Sequence, residues 1–170
     1  LLLLAIAAFG IFRILKSEGP SPVKQAVITE SVRLSKNVFP LNNVNALSVK
    51  LAVRLLENKD LATSKKIFEE VLVTEPTNAS ILNNLAFIAG EEGNLEKAAE
   101  YLRTSIQVNP DCAECQNNLG NIFYRQGKAA AAKPLFERAA SIDPNYFDPC
   151  LNLAVVFEEE GDWQKAFDWY

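Results

Sequence analysis

The sequence predicts an all-α fold: an α-solenoid of stacked helix–turn–helix units, preceded by an apolar N-terminal helix. One pattern recurs at a spacing of 34 residues from about residue 45 to residue 170. Glycine and proline punctuate that pattern at fixed places. Between them the apolar residues step by three and four, as on one face of a helix.

Residues 1–12, LLLLAIAAFGIF, form an unbroken apolar run ending at Arg13, with Ile14 and Leu15 beyond it. As it stands the run is shorter than the roughly 20 residues that cross a bilayer. The chain begins with leucine and contains no methionine, so earlier residues are expected to be missing. On that footing residues 1–15 read as part of a single-pass membrane anchor. The rivals are the apolar core of a cleaved secretory signal, for which Ser17-Glu18-Gly19 offers a poor cleavage site, and a buried helix. Arg13, Lys16 and Lys24 follow the run, opposed by Glu18; they favour a cytoplasmic flank, and the side occupied by the rest stays open.

Residues 16–44 read as a linker and a capping segment. Gly19, Pro20 and Pro22 break any helix leaving the anchor. Residues 23–39 space their apolar side chains as an amphipathic helix that would cover the first repeat, although Ile28, Val32 and Leu34 also suit a strand. Pro40 and the asparagines at 42, 43 and 45 then predict a break before the repeats begin.

The repeats are expected over 45–78, 79–112, 113–146 and 147–170, the last incomplete. The third is fullest: Leu119-Gly120, Phe123, Gly127, Ala132, Phe136, Ala139 and Pro144. The second gives Leu85-Ala86, Ala89, Gly93, Ala98, Leu102, Ser105 and Pro110. The fourth gives Leu153-Ala154, Phe157, Gly161, Ala166 and Tyr170. The first is atypical, with Lys59 at the turn glycine and Ser64 at the small alanine, as expected of a terminal unit. Gly127 ends one helix where positive φ is needed. Ala132 and Ala139 let the second helix approach closely, Phe136 fills the space between, and Pro144 stops it. Pro134 falls inside the third repeat's second helix, where a kink is expected. A single hairpin cannot bury its apolar face, so the units must stack. Because the chain stops at Tyr170 in mid-helix, further repeats are expected beyond it.

These residues resemble the tetratricopeptide repeat (TPR) family over 45–170. The resemblance implies a right-handed α-solenoid whose first helices line a concave binding surface, and protein binding without catalysis. Asn84, Asn118 and Asn152 stand in register on those helices and resemble the asparagine ladder in the TPR superhelix of O-GlcNAc transferase. A row of amides offers donors and acceptors to a peptide backbone; alternatively the amides serve only to bond neighbouring helices. Asn83, Phe87, Asn117, Asn121, Tyr124, Arg125 and Val155 complete the expected partner-binding set. Leu151 and an apolar end at Val49, Val53 and Leu56 lie on the same face, although those three valine and leucine side chains equally suit core packing. Such a groove fits an extended peptide or a partner helix. TPRs that clamp a chaperone's C-terminal carboxylate carry lysines and arginines here; with only Arg125 and Lys50 available, that subtype is disfavoured.

Composition narrows the function further. The net charge is −4 with 22% charged residues and no basic run, which argues against a nucleic-acid partner. Histidine is absent, removing the commonest acid/base and metal ligand. Cys112 and Cys115 form CxxC, but a redox site would need a strand beforehand, and zinc would need four ligands where the chain has three cysteines. Packing as small apolar fillers at the helix junction explains them better, a local disulfide being the alternative in an oxidising compartment. Glu158-Glu159-Glu160 reads as a solvated charge run. No cofactor, metal site or enzymatic activity is expected. The sequence thus suggests a membrane-anchored scaffold or assembly factor in a membrane-associated complex. The alternatives are a structural subunit packing through its convex face or its open end at Phe167, Trp169 and Tyr170, and, less favoured, a thiol redox protein.

Overall fold

The computed structural model describes residues 41–170, in which eight α-helices and no strand occur. They are α1 (Leu41–Glu57), α2 (Leu61–Thr74), α3 (Ala79–Glu91), α4 (Leu95–Val108), α5 (Ala113–Arg125), α6 (Ala129–Ile142), α7 (Asp148–Glu159) and α8 (Trp163–Trp169). The helices fall into two compact units, ending and beginning at Pro76 and Thr77. The expected anchor at 1–15 and the segment at 16–39 lie outside the described residues. Among the described residues, no helix is long and apolar enough to cross a membrane.

In the first unit α1 packs on α2. The expected break at Asn42, Asn43 and Asn45 does not occur, because α1 already begins at Leu41. Asn45 is buried, and its amide donates to Thr74 Oγ1 at 3.0 Å and Glu75 Oε1 at 2.6 Å. Those bonds satisfy inside a helix a side chain that would otherwise favour a turn. Ser64, standing where later repeats have alanine, is fully buried and donates to the Ala52 carbonyl at 2.8 Å, so its hydroxyl fits the close helix crossing.

In the second unit each helix packs against the next in order, and α3 also meets α5, and α5 meets α7. Two apolar clusters hold it. One joins Ala86, Ala89, Ala98, Ala99, Leu102, Cys115, Leu119 and Ile122 across α3, α4 and α5. The other joins Ala132, Phe136, Leu153, Val156, Phe157 and Ala166 across α6, α7 and α8. Gly120 fits close packing: a Cβ there would stand 2.5 Å from Phe136 Cε1. One repeat earlier the same register positions hold Ala86 and Leu102, both buried in one cluster.

The turns are equally regular. Gly93, Gly127 and Gly161 adopt φ of 81°, 74° and 77°, and Lys59 occupies the same turn at 62°. At three of these four turns the following residue caps the next helix with its side chain. Asp60, Asn94 and Asp162 accept from the N–H of Thr63, Lys97 and Lys165, but Lys128, in the same register, makes no side-chain cap. Pro134 does not break α6, which runs continuously from Ala129 to Ile142. Both Pro134 and Ala130, whose carbonyl loses its partner, face outward, so water can satisfy the orphaned oxygen.

Candidate functional site

Set in the 34-residue register, α3, α5 and α7 display equivalent side chains in rows. One row is Phe87, Asn121 and Val155, with Phe87 49% and Val155 38% exposed. The next is Asn84, Asn118 and Asn152, all partly exposed. The third is Asn83, Asn117 and Leu151; here Leu151 is 48% exposed, whereas Asn83 and Asn117 are 7% and 2% exposed. Two of the expected binding residues therefore lie beneath the surface.

The burial of Asn83 and Asn117 has a clear cause. Asn118 Nδ2 donates to Asn83 Oδ1 at 3.0 Å, and Asn152 Nδ2 donates to Asn117 Oδ1 at 2.9 Å. Asn83 in turn donates to Glu114 Oε1 at 2.8 Å, and Asn117 to the Tyr146 hydroxyl at 3.0 Å. Each amide of the buried row thus links one first helix to the following repeat. Such bonds contribute about 1 kcal/mol apiece, and losing one partner costs more because the other stays buried. Asn84, in the opening helix of this unit, donates instead to the Ser80 carbonyl of its own helix at 2.9 Å.

Because first helices approach closely enough to bond one another, they mark the inner side of this unit. Within the unit, Asn84, Phe87, Asn118, Asn121, Tyr124, Arg125, Leu151, Asn152 and Val155 are the residues of the expected face that retain surface. An amide has two N–H donors and a carbonyl acceptor. One donor on each of Asn84, Asn118 and Asn152 is used within the fold. Val49, Val53 and Leu56 belong to α1 in the other unit, where they are partly buried.

The rims of this surface carry charge. Toward the start of the helices stand Ser80, Glu114 and Asp148; toward their ends stand Glu91, Arg125 and Glu159, with Tyr124 and Glu158 just before. Arg125 Nη2 donates to the Gly90 carbonyl at 2.8 Å, covering the last turn of α3. The absence of a side chain at Gly90 accommodates it, since a Cβ would lie 3.3 Å from Nη1. The Tyr124 hydroxyl donates to the Glu159 carboxylate, and that bond holds the phenol above its ordinary pKa. Tyr170 is raised by burial and then by Glu158, and Tyr146 by burial and then by Asp148. Glu114 and Asp148 stand 34 residues apart, and Glu91 and Glu159 stand 68 apart with Arg125 midway. Of these rim carboxylates only Glu158 and Glu159 stand out in the sequence itself, within a run that reads as solvated charge.

Second helices and turns behave differently. Ion pairs in this unit include Lys97–Glu100, Lys133–Glu160, Arg138–Asp111 and Lys165–Asp162, at 2.7–2.9 Å. Every lysine or arginine in them belongs to α4, α6 or α8.

Cys112 and Cys115 are joined as a disulfide with Cα atoms 5.3 Å apart, and Cys150 is free. Cys112 is the N-cap of α5, its sulfur accepting from the Cys115 N–H at 3.1 Å. That is the place Asn78 occupies on α3. Cys115 is 1% exposed within the apolar cluster, and its sulfur lies 3.2 Å from Ser105 Oγ. Both cysteines therefore serve the junction between repeats. Among the described residues no group of three or more histidine, cysteine or acidic side chains could hold a metal.

A family model described as a tetratricopeptide repeat matches residues 77–145. Tetratricopeptide repeat protein 7B of Homo sapiens is 29% identical over 133 residues, which are 78% of this chain and 15% of that protein. This chain therefore spans a small part of that relative. Among solved structures, pilF of Pseudomonas aeruginosa superposes with a TM-score of 0.72 at 19% identity, covering 99% of this chain and 73% of that one. The first TPR of Spaghetti (RPAP3), bound to the HSP90 peptide SRMEEVD, gives 0.65 at 14% identity over 69% of this chain and 93% of that one. At these identities both structures speak for fold. With repeat motif, helix order and matched relatives in agreement, residues 77–145 of the chain are tetratricopeptide repeats.

Proposed function

We propose that this chain is a noncatalytic protein-interaction module whose second unit receives an extended peptide or a partner helix along α3, α5 and α7. The observation that supports it most is the row Phe87, Asn121 and Val155 beside Leu151: apolar anchors left exposed next to amides that keep a free carbonyl. Apolar side chains exposed in a row mark a binding surface more often than a solvated one. Amides on the same face can hold the backbone while Phe87, Leu151 and Val155 take side chains. That RPAP3 holds a peptide on the same fold makes the mode plausible for this one. A phage-displayed random peptide library screened against the full chain tests it. Enriched peptides should lose binding to Phe87→Asp and Val155→Asp; binding unchanged by both substitutions would remove the groove from the account.

The apolar run at 1–15 supports a membrane tether for this module, which would place its partner in a membrane-associated complex. Carbonate extraction of membranes, with and without residues 1–15, distinguishes a spanning anchor from loose association. A second reading rests on α8, where Phe167 is 76%, Tyr170 65% and Trp163 68% exposed, while Trp169, expected with the first two, packs partly buried against the Phe136 cluster. Those aromatics suit lateral packing on another protein. Light scattering of the full chain and of Phe167→Ser would separate self-association from a free groove.

A further inference from the structure

We infer that the groove of the second unit selects a basic peptide, one that sets lysines or arginines against the two rims and apolar residues on Phe87, Leu151 and Val155. The inference rests on the groove reading above and deepens it by naming the partner's chemistry.

The groove rims carry five carboxylates, Glu91, Glu114, Asp148, Glu158 and Glu159, and one cation, Arg125. That cation is committed to the Gly90 carbonyl at 2.8 Å. The carboxylates with identified partners are held by neutral groups. Glu114 receives the Asn83 amide at 2.8 Å, Glu159 receives the Tyr124 hydroxyl, and Glu158 and Asp148 stand beside the phenols of Tyr170 and Tyr146. A neutral donor fixes a carboxylate in place and leaves its charge uncancelled. Around α4, α6 and α8, by contrast, acidic groups at Glu100, Asp111, Glu160 and Asp162 each meet a lysine or arginine. Part of the outer charge is thus paired with cations, whereas the inner rims hold their carboxylates with neutral donors and stay negative.

Geometry places these charges usefully. Glu114 and Asp148 begin their helices and Glu159 ends its own, so charge lies on both sides of the apolar row. A helix of 13 residues separates its ends by roughly 20 Å, leaving the groove floor for side chains and backbone. An acidic tail would meet like charge on both rims, and like-charge juxtaposition disfavours wrong partners. A basic, apolar-anchored chain meets complementary charge and gains attraction at long range.

The test is fluorescence anisotropy of the full chain with two labelled probes of about twelve residues, long enough to cross three repeats. One alternates leucine with lysine, the other leucine with glutamate. The lysine probe should bind about tenfold more tightly at low salt, the sum of a few exposed pairs, and the preference should shrink in high salt. The variant Glu114→Gln/Asp148→Asn/Glu159→Gln keeps the acceptor oxygens for Asn83 and Tyr124 and should abolish the preference. Neutralising the same number of charges on the second helices, Glu96→Gln/Glu137→Gln/Asp168→Asn, should leave it intact. Equal binding of both probes, lost on Phe87→Asp and Val155→Asp, would overturn the charge inference and keep the groove. Lysine-probe binding weakened equally by both neutralised variants would mean nonspecific attraction and overturn it too. Failure of both probes, or indifference to the Phe87 and Val155 changes, would sink the groove reading itself.

Discussion

Gly120→Ala isolates the close packing of α5 on α6. In an exposed helix this change would stabilise by about 1 kcal/mol through helix propensity. Here the new methyl would lie 2.5 Å from Phe136 Cε1, 2.7 Å from Cδ1 and 3.0 Å from Cζ. Carbon atoms rest at roughly 3.5–4.0 Å, so the ring must retreat by about an ångström. Phe136 is 1% exposed and has nowhere to go. Overpacking of this kind costs up to about 3 kcal/mol, leaving a net loss near 2 kcal/mol after the propensity gain. The second repeat suggests the compensating pair, since it carries Ala86 and Leu102 at the same register positions within one buried cluster. Phe136→Leu alone should cost roughly 1–2 kcal/mol by leaving a cavity. Gly120→Ala/Phe136→Leu should cost clearly less than the sum, with a coupling of about 1–2 kcal/mol. Urea unfolding followed by tryptophan fluorescence reads this well, since both tryptophans lie in α8 and Trp169 packs with the Phe136 cluster. A Gly120→Ala variant more stable than the parent, or strictly additive substitutions, would refute the reasoning.

Two register defects should be repairable. Lys128→Asn restores the missing cap of α6 and should add about 1 kcal/mol, and Lys59→Gly removes a side chain at φ 62° with a gain of roughly 1 kcal/mol; thermal melts check both. The phenols of Tyr124, Tyr146 and Tyr170 are raised above the ordinary value. Raised pKa values favour the neutral phenol in the folded state, so that stability is complete below the ordinary value near 10 and is lost as pH climbs through the raised ones. Ultraviolet titration should show Tyr124→Phe removing one late-titrating phenol. The Cys112–Cys115 disulfide closes a loop of only a few residues, so reducing it should cost at most about 2 kcal/mol and leave the helices intact by circular dichroism. A collapse of helicity on reduction would contradict the packing role.

The repeat period made the fold legible, because glycine, alanine and proline each answer a steric demand that returns with every unit. Lys59 was readable as a departure, and its positive φ shows the turn is imposed by neighbours against the residue's own preference. The caps at Asp60, Asn94 and Asp162 also stand in the sequence, one residue beyond each turn. The roles of adjacent asparagines were harder to read. Asn83 and Asn84, or Asn117 and Asn118, point about 100° apart around their helix, and the approach of the next first helix decides which is buried. The disulfide stayed undecided for a similar reason. CxxC pairs here because Cys112 sits outside the helix at φ −82°, ψ 94°, a cap geometry set by the turn before it.

The amide links between first helices have a mechanical corollary. They run along the inner edge, so straightening the second unit must stretch them, whereas tightening it need not. Such an array behaves as a one-sided spring: stiff against being pried open, compliant toward closing on whatever it holds.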